Sequence, residues 1–249
     1  MIEEFLKRIP LHATSSKAIS DGVANFVIEV NNDQIFRFSR KELTNKQMAV
    51  ENSFLPQFEI VCPVAIPHIE YSGQDFMGYK KIPGIPLKSD IVASLPEEAR
   101  DRVARDLGRF LSTLHTFSFA HPDLKEFPYG GGDFWNDVWS IVSPLLSKQA
   151  SKNAQIYFEK ELSKINQESP KKVLTHSDLG TSNILFDATT QRIGIIDFGD
   201  LCLHDPARDF NGLLRNHGRE FTNKVLSFYT PKINDTFWNR IDFYAKKQS

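Results

Sequence analysis

The stretch His176-Ser177-Asp178-Leu179-Gly180-Thr181-Ser182-Asn183 decides how this chain is read. An aspartate precedes an asparagine by five positions, and residues 172–175 and 183–186 on either side have the apolar, β-branched character of short strands. A third strand pattern at 192–196 runs into Ile195-Ile196-Asp197-Phe198-Gly199-Asp200, which places Asp197 fourteen residues beyond Asn183. Taken singly, each motif is also an ordinary turn, because aspartate and asparagine favour turns. In this order, on strand-loop-strand units, they form one constellation of loop side chains at strand ends.

Outward from that centre, the pattern divides in two. Residues 2–9 read as a short amphipathic helix, 18–30 and 35–39 as strands joined by the turn Asn31-Asn32-Asp33, 42–58 as a helix and 76–81 as a strand. Ile82-Pro83-Gly84-Ile85-Pro86 cannot continue a strand ladder and is read as the linker between lobes. Beyond it, Ser94, Pro96 and Glu97 supply an N-cap, a first-turn proline and a capping-box partner for a helix to about residue 117. Its stripe of Val103, Leu107, Phe110, Leu111 and Leu114 has helical spacing. A glycine-bearing stretch around Gly130, Gly131 and Gly132 is read as loop, 155–165 as helix, and Asp205-Pro206 as the N-cap and first residue of another helix.

Composition narrows the possible partners. Thirty basic against thirty-one acidic residues give a formal net charge of -1, so no global field gathers nucleic acid or anionic membrane. Cys62 and Cys202 lack metal-ligand or redox spacing and fit a reducing compartment. The first ten residues, MIEEFLKRIP, contain no signal-type apolar region, and no apolar run reaches membrane-spanning length. These features predict a soluble, cytoplasmic protein.

The chemistry that suits the constellation is phosphoryl transfer. That reaction needs a carboxylate to orient a hydroxyl and take its proton, and neutral and acidic oxygen ligands for magnesium beside the phosphates. Asp178 suits the first role, Asn183 and Asp197 the second. His176 has no second histidine or cysteine at usable spacing and is read as packing the loop. In the amino-terminal part, Ser20-Asp21-Gly22 either brings backbone amides to phosphate or is an ordinary hairpin turn. Arg37 and Glu51 either pair beside the phosphates or form a plain surface ion pair.

Together, H-S-D-L-G-T-S-N-I-L-F-D, I-I-D-F-G-D-L-C-L-H-D-P-A-R-D-F and G-Y-K-K-I-P-G-I-P-L resemble the aminoglycoside phosphotransferase family, and among its members most resemble the 2''-phosphotransferases. The resemblance spans most of the chain. It implies an α+β, two-lobed, protein-kinase-like fold, with a small β-rich nucleotide-binding lobe over 1–82 and a larger, mainly helical catalytic and acceptor-binding lobe over 83–249. It implies Asp178 as catalytic base, Asn183 and Asp197 as Mg2+ ligands, and backbone at Lys80, Lys81 and Ile82 against the purine of ATP or GTP. The cofactor-binding set is completed by Ser20, Gly22, Arg37 and Glu51. Arg37 departs from the pattern, standing where a kinase places lysine; its fork grips anions differently from a point charge. A polycationic aminoglycoside acceptor is implied, which calls for carboxylates around the pocket. Asp200 is the candidate contact, whereas Asp133 and Asp137, among Phe134, Trp135 and Trp139, read as a loop with aromatic anchors. The same catalytic core serves kinases of other small alcohols, of macrolide, choline or homoserine type, and a pseudokinase that binds nucleotide without turnover is the remaining alternative.

Overall fold

The computed structural model describes residues 2–21, 25–127, 139–168 and 171–247. Gly22, Asp133 and Asp137, together with the glycines at 130–132, lie outside the described residues.

Five strands, β1 (Ser16–Asp21), β2 (Asn25–Val30), β3 (Gln34–Ser39), β4 (Ile69–Ser72) and β5 (Phe76–Lys80), form an antiparallel sheet in the order β1-β2-β3-β5-β4. The single strand expected over 18–30 is therefore two strands, paired from Ser16↔Val30 to Asp21↔Phe26 with a register shift between Ala18 and Ser20. Each has its own alternation, so a continuous apolar run concealed the reversal. Helix α1 (Ile2–Leu6) is shorter than expected and lays Phe5 against Phe26 and Phe38 at 4.8 and 4.6 Å, sealing one face of the sheet. Helix α2 (Glu42–Phe58) packs on the other side of β3 and β5.

Phe54 and Phe58 of α2 are fully buried and join the core of the second half, 5.6 Å from Phe198 and 6.0 Å from Phe110. This shared aromatic core fixes α2 relative to the loops that carry the motifs. Beyond the sheet, Gly84 takes φ 130°, where an added Cβ would lie 2.9 Å from the Phe186 carbonyl, so only glycine fits. The chain then forms β6 (Ile85–Pro86), paired with the strand after the Asp178 loop (Ile85↔Phe186).

Helix α3 (Ser89–Ser94) was not foreseen, and it corrects the cap expected at Ser94. That side chain donates to the Ile91 carbonyl at the end of α3, while Pro96 caps α4 (Glu97–Thr116). Leu95 is extended, as the residue before a proline prefers, so the chain breaks there. The α4 stripe of Val103, Leu107, Phe110, Leu111 and Leu114 is completely buried.

After β7 (Lys125–Glu126) and α5 (Lys148–Glu168), four short strands frame the motifs: β8 (Val173–Thr175), β9 (Ile184–Asp187), β10 (Arg192–Ile195) and β11 (Cys202–His204). β9 pairs with β6 and β10; β11 returns to pair with β8 and β7. The 176–183 loop and the turn at 197–200 thus open on the same side. Helix α6 (Arg208–Leu226) bends at Gly218, whose φ and ψ are 78° and 174°, and α7 (Phe237–Lys247) packs against it. Helix α6 starts at Arg208, two residues later than expected, but Asp205 still makes a capping-type bond ahead of it. The Asp205 carboxylate accepts from the Ala207 amide at 3.0 Å and is otherwise committed to the buried Arg240 (2.8 Å) and to Tyr244 (3.2 Å). No helix among the described residues is long and apolar enough to cross a membrane.

Candidate active site

Asp178 and Asn183 face one another across their loop. The Asn183 amide nitrogen donates to the Asp178 carboxylate and to the Asp178 backbone carbonyl, each at 2.8 Å. Asp178 is open to the cleft, yet partial desolvation pushes its pKa above the ordinary carboxylate value; the charges of Asp200 and Asp197 add to the rise, against His176 and the Asn183 hydrogen bond. His176 packs the loop as expected: its ring lies 4.8 Å from Phe198, and its Nε2 meets the Ile196 carbonyl at 3.1 Å.

Arg37 is buried rather than on the surface. One nitrogen reaches Glu51 Oε1 at 2.6 Å and the other Asp197 Oδ1 at 2.7 Å, so the guanidinium fork bridges α2 to the 197–200 turn. Glu51 Oε1 also accepts from the Phe198 amide at 3.1 Å. Burial opposes the Arg37 charge, but Glu51 and Asp197 outweigh it and raise the pKa further, so the cation is permanent. A lysine in this position offers a point charge and cannot form the same two-pronged bridge. Asp197 itself takes φ 65°, a left-handed conformation that aspartate tolerates better than bulkier residues.

Arg37, Glu51, Asp178, Asp197 and Asp200 line a single cleft of about 240 Å³ between the sheet and the motif loops. Asn25, Thr44, Gln47 and Met48 also line it, and Gln47 donates to Asp200 at 3.3 Å. A second cleft of about 350 Å³ shares Gln47, Gly199 and Asp200 and extends to Asp123, Lys125 and Phe127. The remaining candidates lie elsewhere. Ser20 is on β1, where the register shifts. Lys80 is opposite Gln34 in the sheet, the Lys81 amide is spent on the Asp33 carbonyl at 2.6 Å, and Ile82 is buried over Gly194.

A residue without an assigned role in the sequence reading holds the loop in place. Asp209, completely buried in the first turn of α6, accepts the amides of His176 (2.9 Å) and Ser177 (2.7 Å) and the Nε2 of His115 (3.1 Å). His115 in turn meets the Tyr229 hydroxyl at 2.8 Å. Ser177 has φ 68°, so the two Asp209 bonds fix a left-handed backbone immediately before Asp178. Burial pushes the Asp209 pKa up, but His115, His176 and the Ser177 amide more than offset it, leaving the carboxyl below its ordinary value.

One turn on, Gly212 lets α6 approach the loop: an added Cβ would fall 2.2 Å from the Leu179 carbonyl oxygen. Gly212→Ala is expected to destabilise the protein by about 1–3 kcal/mol through overpacking and to lower kcat by displacing Asp178. Urea unfolding and steady-state kinetics check both effects; an unchanged kcat would detach this contact from catalysis.

The residues present suit magnesium by donor chemistry. Asn183 Oδ1 and Asp197 Oδ2 accept no hydrogen bond among the described residues, and the donors are all oxygen. No cluster of three or more histidine, cysteine, aspartate or glutamate side chains with metal-holding placement occurs among the described residues. A magnesium ion bound through one or two protein oxygens, with phosphates and water completing its shell, needs no such cluster.

A sequence model of the phosphotransferase enzyme family matches residues 15–230. The chain belongs to this family. A family relative, viomycin phosphotransferase from Streptomyces vinaceus, is 26% identical over 156 residues, which is 61% of this chain and 54% of that protein. The match thus spans about half of the relative's length. The GDP and kanamycin complex of APH(2'')-IIIa superposes with a TM-score of 0.86 at 25% identity, over 99% of this chain and 88% of that one. Macrolide 2'-phosphotransferase MphH from Brachybacterium faecium, at 18% identity and a TM-score of 0.73 over 97% of this chain and 87% of its own, shares the fold. The protein-kinase-like, two-part architecture expected from the motifs is accordingly that of the phosphotransferase enzyme family.

Proposed function

We propose that the protein transfers the γ-phosphoryl group of ATP or GTP to a hydroxyl of an aminoglycoside. The observation that carries this reading is the convergence of Asp178, Asp197, Arg37 and Glu51 on one cleft, with Asn183 hydrogen-bonded to Asp178 behind it. The likeness to APH(2'')-IIIa, solved with GDP and kanamycin, supports the choice of donor and acceptor.

Asp178 orients the acceptor hydroxyl and takes its proton as the oxygen attacks phosphorus; the bond to the nucleoside diphosphate breaks on the opposite side. The Asn183 amide holds the carboxylate in place, and Asp209 holds the backbone that carries it. Asn183 and Asp197 would hold magnesium, which when bound offsets phosphate charge. Arg37 fixes Asp197 through its fork and adds a permanent cation beside the phosphates. The nucleotide base lies toward Lys80, Lys81 and Ile82, where the Lys81 amide is already engaged by the Asp33 carbonyl. Asp200 and Asp123, in the adjoining cleft, supply carboxylates for acceptor ammonium groups.

Nucleoside diphosphate release measured with kanamycin, viomycin and a macrolide tests the acceptor. Stimulation by kanamycin is the expected result; silence with kanamycin but turnover with either other alcohol would overturn the aminoglycoside assignment and keep the reaction. Arg37→Ala is expected to raise the nucleotide KM about tenfold or more, the size of a hydrogen bond to a charged group. Arg37→Lys should recover only part of this, since it cannot bridge Glu51 and Asp197 together. Wild-type KM values in both variants would remove Arg37 from phosphate binding.

A further inference from the structure

The cleft of about 350 Å³ that adjoins Asp178's carries mixed charge: two carboxylates, Asp123 and Asp200, and two cations, Lys46 and Lys125. Asp200 accepts from the Gln47 amide at 3.3 Å and Asp123 lies 4.0 Å from His121, yet neither carboxylate pairs with either lysine. Lys46 and Lys125 are exposed and make no hydrogen bond or ion pair among the described residues. Charges that share a cleft without neutralising one another act on whatever enters it.

The fold sets both lysines beside the transfer site. Lys46 is on α2, one residue before Gln47, whose amide reaches Asp200. Lys125 is on β7, which runs parallel to β11 through the pair Cys202↔Lys125 and so lies next to the 197–200 turn. Strand alternation sends the following residue, Glu126, to the other face, where it pairs with Lys172 at 2.7 Å. Phe127, its amide held by the Leu203 carbonyl at 3.0 Å, joins Val50 and Leu201 in giving the cleft apolar surface against which a sugar ring can pack.

We propose that Lys46 and Lys125 are specificity-determining residues, which favour an aminoglycoside with few ammonium groups and handicap one whose ammonium groups outnumber Asp123 and Asp200. The inference rests on the aminoglycoside reading of the acceptor. A cleft built for a densely cationic molecule matches its ammonium groups with carboxylates. Here each carboxylate is offset by a lysine, so further positive charge on the acceptor meets like charge. A repulsive group discriminates without tightening any contact to the favoured molecule. The lysine ammonium groups can instead donate hydrogen bonds to sugar hydroxyls.

Calorimetric titration of kanamycin into protein saturated with nucleoside diphosphate tests the proposal, comparing wild type with the double variant Lys46→Gln/Lys125→Gln. Both side chains are exposed, so the variant keeps its fold. The expected result is a kanamycin Kd about tenfold lower in the double variant, the size of relieving like-charge contacts in a water-rich cleft, with the nucleotide Kd unchanged. Lys7→Gln/Lys88→Gln makes the same change in net charge at exposed residues that line neither cleft, and should keep the wild-type kanamycin Kd. An unchanged or higher kanamycin Kd in Lys46→Gln/Lys125→Gln, an equal gain in Lys7→Gln/Lys88→Gln, or a loss of nucleotide affinity would overturn the proposal and leave the acceptor reading standing. Kanamycin that binds none of the proteins would overturn the acceptor reading and this inference with it.

Discussion

Asp178→Asn is expected to leave the protein folded and able to bind nucleotide while lowering turnover by about two to four orders of magnitude, the range for a general acid-base group. The amide is nearly isosteric with the carboxylate, and its oxygen can still accept the Asn183 hydrogen bond now made at 2.8 Å. What is lost is the ability to take a proton from the acceptor and the charge that orients it. The check pairs kcat, from nucleoside diphosphate release, with nucleotide affinity measured directly. Turnover within about tenfold of wild type would leave Asp178 without the role of base.

Asp209→Ala carries the second large effect, and here stability is the first readout. The substitution removes the acceptor of two backbone amides and of His115, all in a completely buried setting. Breaking one side of such an arrangement costs about 3–5 kcal/mol. For a chain of this size, that corresponds to a fall in Tm of about 6–20 °C. Asp209→Asn keeps one acceptor oxygen and should lose less. The sign of the pH dependence follows from the depressed carboxyl pKa of Asp209 in the folded protein. Its contribution is fully present above the unfolded value of about 3.9 and is lost as pH falls through the folded value. The stability gap between wild type and Asp209→Asn should therefore narrow below about pH 4, as followed by urea unfolding across an acid series. A gap that widened on acidification would contradict the bonding assigned to Asp209.

Local pattern was sufficient where a segment carries its own reason for being there. Helix α2 has the bounds its pattern predicts, and the stripe on α4 is buried at every expected position. The spacing of Asp178, Asn183 and Asp197 was readable because all three lie on short loops at the ends of neighbouring strands, where chain order alone sets their separation. Contacts that exist only in three dimensions were hidden. Asp209 reads in sequence as one acidic residue in a helix's first turn, and its hydrogen bonds reach back to residues 176, 177 and 115. Arg37 and Glu51 appeared equally compatible with a surface pair until packing placed both in the interior and added Asp197 to the bridge. Ser94 had the chemistry of an N-cap and the spacing of a capping box, but the Leu95-Pro96 break assigned it to the end of α3.

Phosphorus NMR of a reaction containing enzyme, magnesium, nucleoside triphosphate and kanamycin tests the central claim most directly. The account predicts a new phosphomonoester resonance that grows in step with nucleoside diphosphate and is absent with Asp178→Asn. Nucleotide consumption that yields only inorganic phosphate, or a phosphomonoester formed equally well by Asp178→Asn, would contradict it.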